Sequence, residues 1–450
     1  MGADRILTTH VGSLARPAAL LDLMSVRLRR GPDGRTDRTD RKTDKTDRPN
    51  DNEPDGRTDR TDSPNDNEPH DRTDNDIHRP TDNVPRNQAD SRRGPAPADE
   101  PFDEDRYQAL VRSAVDACVR MQAECGIDIV GDGEMSKPGF YTYVRSRLDG
   151  FEPRPDEVMP FFEAEVAAFP EYYERYFAEA MTGGAVAPVV PLVCTGPVGY
   201  RGLDLARTDI DNLRTSAAEV AHVDVFMPAV APSGLGRNEY YATEEEYFHA
   251  AGQALAVEYR AIVDAGLILQ VDDPFLTDIF VDPALDSSGR RRRAAIYVEA
   301  VNEALRGIPS DRVRWHTCYG INEGPRIHEA ALAEVVPYML QVNAGGYSFE
   351  AANPRHEHEY HLWKTLSLPD DKVLIPGVIT HASNIVEHPE YIAERIVRFA
   401  RLVGRDRVIA GADCGFSSQA SYRTEVHPTV IRAKLSALAQ GARLATDQLW

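Results

Sequence analysis

The chain has 450 residues, of which 42% are hydrophobic, and its formal net charge is −21. This length suits one large α/β domain or two ordinary ones. The negative charge argues against nucleic acid or an anionic membrane surface as a main partner, and no run approaches the roughly 20 apolar residues of a membrane span. The five cysteines are few for this length and odd in number, which argues against a disulfide framework. The N-terminus lacks a signal-peptide core, so we expect a cytoplasmic protein.

The first elements in the chain are a strand over residues 5–13 and a short helix over residues 18–28. The composition then changes over residues 31–100, which contain no aromatic residue and only Ile77 and Val84 as large aliphatics. Such a segment cannot bury enough apolar surface to offset the entropy lost on ordering. We predict a disordered insertion here. A neutral expansion of a surface loop is favoured over a tether for a partner, because long loops cost little.

The rest of the chain alternates strand-like and helical patterns. Candidate strands, including the first, cover residues 5–13, 127–130, 188–195, 223–230, 267–271, 313–318, 338–342, 373–379 and 407–410. Helical patterns lie between most of them, as at 105–125, 244–265, 291–305 and 389–403. A (βα)8 barrel needs one strand fewer, and 188–195 is the one expected outside it.

The sequence therefore predicts an α/β fold with a single catalytic TIM-type (βα)8 barrel. Residues 1–30 would begin the barrel, residues 31–100 would interrupt it, and residues 101–450 would complete it. A doubly wound open sheet is the alternative architecture. No Gly-x-Gly-x-x-Gly turn follows an early strand, so a dinucleotide site has no support.

A His-x-Cys pair ends the strand predicted at 313–318. His316 and Cys318 are two residues apart, so their side chains point to the same face. An imidazole and a thiol that project together suit zinc. Cys414, which follows the strand at 407–410, is the candidate third ligand, and one His with two Cys leaves a fourth position open, as in catalytic zinc sites. The alternative is a buried Cys and a core His without metal.

Other polar residues also fall where predicted strands end. They are Ser13, Glu134, Asp272, Asp273 and His381. A structural carboxylate or His could lie anywhere along its strand, whereas the carboxyl ends of barrel strands converge on the active face. This regularity predicts a catalytic site at that face.

Six motifs, in this order, resemble the catalytic half of cobalamin-independent methionine synthase and its single-barrel relatives, which include epoxyalkane:coenzyme M transferase. The resemblance covers nearly everything outside residues 31–100. The motifs are Thr9-His10-Val11-Gly12-Ser13, Asp132-Gly133-Glu134, Gln270-Val271-Asp272-Asp273-Pro274, His316-Thr317-Cys318, Gly377-Val378-Ile379-Thr380-His381 and Asp413-Cys414-Gly415.

The resemblance implies roles for individual residues. His316, Cys318 and Cys414 match zinc ligands, Glu350 matches a further carboxylate ligand, and His381 matches the proton donor. The implied substrate-binding residues are His10, Ser13, Glu134 and Asp272. Without the resemblance, Glu350 reads as a solvent-facing glutamate and His381 as a packed histidine satisfied by Asn384 or by backbone.

The implied activity is zinc-dependent alkyl transfer to a thiol, of the 5-methyltetrahydropteroyltriglutamate–homocysteine type. Zinc would hold the substrate as a nucleophilic thiolate, and His381 would protonate the leaving group. The expected partners are a small-molecule thiol and an alkyl donor. Two expected departures leave the donor open. Full methionine synthases carry a further barrel before this one, which we do not expect here, and the segment after Gly196 has Tyr200 where the family stacks the pterin on a Trp.

Three other functions are compatible with parts of this pattern. The first is epoxide opening with coenzyme M, although Glu134 and Asp272 suit an ammonium better than a sulfonate. The second is a non-catalytic zinc-binding or thiol-binding protein, which would need no proton donor such as His381. The third is a metal-free decarboxylase like uroporphyrinogen decarboxylase, which shares the fold but lacks a reason for the His-x-Cys motif.

Overall fold

The computed structural model describes residues 4–30, 102–157, 162–181, 184–187, 190–320 and 323–450. The predicted disordered insertion at 31–100 lies outside these ranges and stays a prediction.

Eleven strands occur within the described ranges. In chain order they are β1 (Leu7–Thr8), β2 (Ile129–Gly131), β3 (Leu148–Pro153), β4 (Leu192–Tyr200), β5 (Asp224–Val230), β6 (Arg237–Asn238), β7 (Ile268–Asp273), β8 (Val313–Thr317), β9 (Gly346–Phe349), β10 (Val373–Ile379) and β11 (Ile409–Ala412). Eight of them form one sheet in the order β1-β11-β10-β9-β8-β7-β5-β2. A separate sheet has the order β3-β4-β6.

The eight-stranded sheet is a nearly closed parallel barrel. Every adjacent pair in its order runs parallel. At the seam between β1 and β2, Asp128 N donates to Thr8 O over 3.2 Å, and Asp128 Oδ2 accepts a hydrogen bond of 2.9 Å from Thr8 N. The predicted TIM-type barrel is confirmed, and the open doubly wound sheet is wrong.

Helices follow most of the barrel strands. They are α1 (Ala18–Arg30), α2 (Glu104–Cys125), α3 (Glu163–Ala168), α4 (Pro170–Tyr176), α5 (Leu203–Ala217), α6 (Glu244–Asp264), α7 (Phe275–Val281), α8 (Ser287–Ala304), α9 (Leu332–Met339), α10 (Pro389–Val403) and α11 (Pro428–Leu449). Local signals set their ends. Asp103 caps α2 by accepting from Arg106 N, and Gly126 stops it with a left-handed φ of 85°, a conformation that glycine adopts without steric cost.

The barrel interior changes from apolar to polar along the strands. Near the amino ends, six side chains form a buried cluster: Leu7, Ile129, Phe226, Ile268, Ile375 and Ile409. The Arg314 guanidinium lies 3.5 Å from the centre of the Phe226 ring and donates to Thr9 Oγ1 and His10 O, each over 2.8 Å. The barrel interior is therefore packed with apolar side chains near the amino ends of the strands and carries polar groups further along them.

Two strand predictions have different outcomes. The strand predicted at 338–342 is wrong, because Tyr338 belongs to α9 and the barrel strand is β9. The α9 residues that are buried lie at helical spacing, namely Leu332, Val335, Val336 and Met339, and this period outweighs the strand propensity of the valines. The strand predicted outside the barrel is confirmed as β4, which pairs antiparallel with β3.

No helix in the described parts of the chain is long and apolar enough to cross a membrane.

Candidate active site

A cavity of about 120 Å³ opens at the carboxyl ends of the barrel strands. It is lined by six of the residues predicted from the sequence: Ser13, Glu134, Asp272, His316, Cys318 and Cys414. These residues follow or end β1, β2, β7, β8 and β11. A parallel barrel brings such positions together even though they are distant in the sequence.

His316, Cys318 and Cys414 form a buried group that could hold a metal ion, and we call them the metal set. Cys318 Sγ lies 3.3 Å from Cys414 Sγ, and Cys414 Sγ lies 3.6 Å from His316 Nε2. Zinc bonds of the usual length at tetrahedral angles put ligand atoms roughly 3.5–3.8 Å apart. The 3.6 Å separation of Cys414 and His316 falls in this range, and the two sulfurs, 3.3 Å apart, would have to separate slightly to bind an ion. The soft, nitrogen-and-sulfur character of the set suits zinc.

The protonation states in the metal set follow from burial. Burial, together with the positive charge of Arg314, lowers the pKa of His316 to about 3. The imidazole is therefore neutral at physiological pH, which is the form that binds metals. The hydrogen bond with Cys318, followed by burial, raises the pKa of the Cys414 thiol well above its ordinary value. A cation is thus needed to hold the Cys414 sulfur as a thiolate.

Glycine allows the loops after β1 and β11 to meet beside the metal set. Phe416 N donates to Ser13 O over 3.0 Å, and a Cβ on Gly415 would overlap Ser13 Oγ. On the other side of Ser13, Gly12 has a φ of +141°, and a Cβ there would lie 3.0 Å from Glu134 Oε1. Both glycines are required by close approach, so the motifs that contain them position the site.

Glu134 and Asp272 place two buried carboxylates on the cavity wall. Asp272 Oδ1 accepts from Gln270 Nε2 over 2.7 Å, whereas Glu134 Oε2 has no hydrogen-bond partner among the described residues. Burial raises the pKa of Glu134. Burial and then the charge of Glu134 raise the pKa of Asp272. A cationic group in the cavity would relieve both effects, so this wall suits an ammonium.

His10 does not line the cavity. Its Nε2 lies 2.7 Å from Gln122 Oε1, and its Nδ1 accepts from Gly12 N over 3.2 Å. Both ring nitrogens are therefore engaged inside the protein, and burial lowers the pKa of His10 to about 4. The structure brings His10 to the loop that carries Ser13. A direct contact with substrate stays a prediction.

Glu350 and His381 also lie outside the cavity lining. Together with Asp413 they form a second buried group, whose ligand atoms lie within 4.8 Å of one another. The structure thus brings Glu350 close to His381, and the charge of Glu350 also contributes to the raised pKa of the Cys414 thiol in the metal set. Burial, opposed by the charge of Arg326, raises the pKa of Glu350 to about 7. The roles of Glu350 as ligand and His381 as proton donor stay predictions.

Comparisons with known proteins find similar sequences and structures, although no family model matches the chain. The uncharacterized protein YxjH of Bacillus subtilis is 25% identical over 309 residues, which cover 67% of this chain and 76% of that protein. A methionine synthase of Thermococcus kodakarensis is 23% identical over 318 residues, 69% of this chain and 78% of that one. A B12-independent methionine synthase from Shewanella, solved with selenomethionine, superposes with a TM-score of 0.57 at 18% identity, covering 78% of this chain and 91% of that chain. The chain is therefore similar in sequence to proteins named methionine synthase and shares its fold with a B12-independent methionine synthase.

Two further residues belong to this site, although no sequence pattern predicts a role for them. Asp413 stands in a quoted motif, and its Oδ1 accepts from the backbone N–H of Ala351 and of Ala352, each over 2.7 Å. Arg326 pairs with Glu350 over 2.7 Å. Asp413 could have been found from its place beside Cys414 at a strand end. Arg326 lies in a loop without periodicity, where the sequence carries no such signal.

A second cavity, of about 300 Å³, adjoins the first in this methionine synthase-like barrel. The two share four lining residues: Phe162, Phe275, Asp278 and Tyr319. The second cavity therefore lies next to the one that contains the metal set.

Proposed function

We propose that this protein is a zinc-dependent methyltransferase that transfers a methyl group to the thiol of homocysteine. The observation that carries the proposal is the buried metal set, which opens onto a cavity whose wall holds Glu134 and Asp272. Relatives named methionine synthase support the same reaction class. The partners in this reaction would be a small-molecule thiol and an alkyl donor.

Zinc would be held by His316, Cys318 and Cys414, and it would keep a substrate thiol deprotonated near neutral pH. The protein supplies a neutral imidazole and two cysteine sulfurs, so the ligands balance the charge of the ion. Burial of all three residues excludes bulk water from the sulfur atoms. A substrate thiolate bound beside them would therefore be poorly hydrated and would stay nucleophilic.

The cavity wall favours homocysteine over coenzyme M. Glu134 and Asp272 would accept hydrogen bonds from the amino group, and Ser13 would donate to the carboxylate. Among the described residues that line this cavity, Arg423 is the one lysine or arginine, and its side chain is exposed. A sulfonate placed against two buried carboxylates would be repelled, since like charges in a site of low dielectric interact strongly.

His381 would supply the proton when the methyl carrier leaves as an anion. It follows β10 and is 2% exposed, close to the strand end that carries Cys414. The protonated form of a histidine side chain, the imidazolium, is a common general acid. Glu350 and Asp413, which lie in its group, would orient the ring.

The test is activity of the purified zinc protein on homocysteine and on coenzyme M. Each thiol is paired with methyltetrahydrofolate, methylcobalamin and a short epoxide. Formation of methionine with one of the methyl donors supports the proposal. Product from coenzyme M and the epoxide alone would support the epoxyalkane transferase instead. Zinc binding without product from any pair would favour a non-catalytic binding protein.

A further inference from the structure

A fully buried lysine lies near the beginning of the last helix, α11. The side chain of Lys434 is 0% exposed, and that of its partner Glu387, in the loop after β10, is 8% exposed. Lys434 Nζ donates to both carboxylate oxygens of Glu387, over 3.0 Å to Oε1 and over 2.9 Å to Oε2. Because an unpaired ammonium is costly to bury, the two side chains hold each other in place.

The Glu387 carboxylate also closes the loop that carries His381. Its Oε1 accepts a hydrogen bond of 2.8 Å from Thr380 N, and Thr380 Oγ1 accepts one of 3.1 Å from Ala382 N. The backbone N–H groups on both sides of His381 are therefore engaged within the loop. The direction in which the His381 side chain leaves the backbone thus depends on where Lys434 holds Glu387.

Other contacts hold the two flanks of this segment. At the strand end, Asp413 N donates to Ile379 O over 3.0 Å. At the tip of the loop, Asn384 Nδ2 donates to Glu425 O over 2.8 Å, and Asn384 Oδ1 accepts from His427 N over 2.9 Å. These bonds attach the strand end and the loop tip to the segment after β11. The residues between them are held by the carboxylate described above.

The Lys434–Glu387 pair suits a role in geometry better than a role in stability. The cost of dehydrating two charges offsets much of their attraction, so apolar side chains of similar volume often stabilise a protein as well as a buried ion pair does. An apolar pair, however, has no oxygen that could accept the Thr380 N–H. The ion pair supplies that acceptor and fixes its position.

We propose that Lys434 and Glu387 are positioning residues that hold His381 where it can donate a proton to the leaving group. The inference rests on the proposed function, in which His381 is the proton donor. Proton transfer requires the donor atom within hydrogen-bonding distance of the acceptor, so a displaced loop would lower turnover. Neither Lys434 nor Glu387 is among the described residues that line the cavity, so their effect on turnover would act through His381.

The experiment is a double-mutant cycle on the full chain with zinc bound. The variants are Lys434→Met, His381→Asn and their combination, and kcat, the KM for homocysteine and zinc content are measured for each. Lys372→Met is the matched control. It removes a lysine that pairs with Asp371 just before β10, at the other end of the strand that leads to His381.

Lys434→Met should lower kcat roughly 10- to 100-fold, the effect of misplacing a catalytic group by about 1 Å, while KM and zinc content stay within about twofold of wild type. In the His381→Asn background the same change should lower kcat by less than about twofold, because an absent group cannot be displaced. Lys372→Met should behave as wild type does. A merely structural role for Lys434 would lower kcat equally in both backgrounds and would overturn the inference.

A second readout does not depend on activity. In protein whose histidine rings are labelled with ¹³C, the NMR signal that is missing from His381→Asn belongs to His381. This signal should shift or broaden in Lys434→Met and stay unchanged in Lys372→Met. An unchanged His381 signal in Lys434→Met would overturn the inference, whatever the activity of the protein.

Circular dichroism identifies a variant that fails to fold. If Lys434→Met fails, Lys434→Met combined with Glu387→Ala replaces it with the same expected results, because this pair of changes leaves no buried charge unpaired. His381→Asn with the turnover of wild type would overturn the proton-donor role and this inference with it. A wild type that forms no methionine would overturn the proposed function, and the His381 signal would still report whether Lys434 positions the ring.

Discussion

Cys318 and Cys194 are both buried cysteines, but only Cys318 belongs to the metal set. Wild type should hold about one zinc per chain, and Cys318→Ser should hold much less, because a hydroxyl is a poorer zinc ligand than a thiolate. Cys194→Ser should keep its zinc, since Cys194 Sγ donates to Gly196 O and a serine can do the same. Elemental analysis of the purified proteins measures the difference. Full retention of zinc in Cys318→Ser, or its absence from wild type, would contradict the site.

His381 separates chemistry from metal binding. His381→Asn should leave zinc content and thiol affinity intact while turnover falls by roughly 10²–10⁴-fold, the usual contribution of a general acid. Loss of zinc would make His381 a ligand, and turnover near that of wild type would make it a packing residue. His222→Asn, at an exposed histidine, is the control. Single-turnover measurements are required if product release limits the steady-state rate.

His356 predicts a pH dependence of stability. Burial lowers its pKa, but Glu329 and Glu359 outweigh this effect and raise the pKa to about 9. Because the folded pKa exceeds the unfolded value of about 6.5, the added stability is full below that pH and is lost as the pH rises to about 9. A shift of this size is worth about 3 kcal/mol.

The free energy of unfolding in urea, measured from about pH 6 to about pH 10, should therefore fall more steeply for wild type than for His356→Gln. Parallel curves for the two proteins would show that the His356 pair contributes no pH-dependent stability.

The metal set could be predicted from the sequence. His316 and Cys318 are two residues apart at the end of a buried strand, so their side chains share a face, and Cys414 follows the end of another strand. Arg326 could not be predicted. Its contact with Glu350 joins a loop to a strand end, and it depends on tertiary packing that no local pattern encodes. Local spacing predicts which side chains lie on the same face of a strand, but it does not predict which loop folds over that face.

Arg147, the residue before β3, links two helices. It pairs with Asp209 on α5 and, over 2.6 Å, with Glu258 on α6. Arg147→Met leaves two buried carboxylates without their cation and should lower the free energy of unfolding by about 3–5 kcal/mol. Arg201→Met breaks an exposed pair with Asp149 and should cost less than about 1 kcal/mol. Urea denaturation measures both values. Equal losses would show that the buried pairs of Arg147 contribute no more to the free energy of unfolding than the exposed pair of Arg201.

The element predictions fail where the chain leaves regular structure early. The first strand was predicted over residues 5–13, but β1 covers only Leu7–Thr8. The following residues are used in the site, since Gly12 adopts a positive φ and Ser13 accepts from Phe416 N. Their apolar and β-branched neighbours favour a strand, and the contacts with the β11 loop override that preference.

The whole molecule should tolerate removal of the predicted insertion. α1 ends at Arg30 and α2 begins at Glu104, and Arg27 Nε donates to Glu104 Oε2 over 3.2 Å. A short Gly/Ser linker can therefore replace residues 31–100. Calorimetry should give a melting temperature within about 3 °C of wild type, since loop length changes stability little. Loss of the cooperative transition would show that the segment packs against the barrel.

The barrel itself could be predicted at the scale of the whole molecule. Strand and helix patterns alternate, and polar residues fall at strand ends, which is typical of this fold. The closure between β1 and β2 could not be predicted, because it depends on Asp128 reaching across the seam to Thr8. That contact joins segments about 120 residues apart.

The pairing of β1 with β11 also has a consequence for biosynthesis. Leu7 pairs with Ile409, and Thr8 pairs with Ala410. At about 5–20 residues per second, the ribosome needs on the order of 20–80 s to make the roughly 400 residues between them. During that interval the amino-terminal strand has been translated while its hydrogen-bonding neighbour has not. The contact of Ser13 with the loop that carries Cys414 therefore forms only late in translation, and a nascent chain that stops before β11 cannot assemble the metal set.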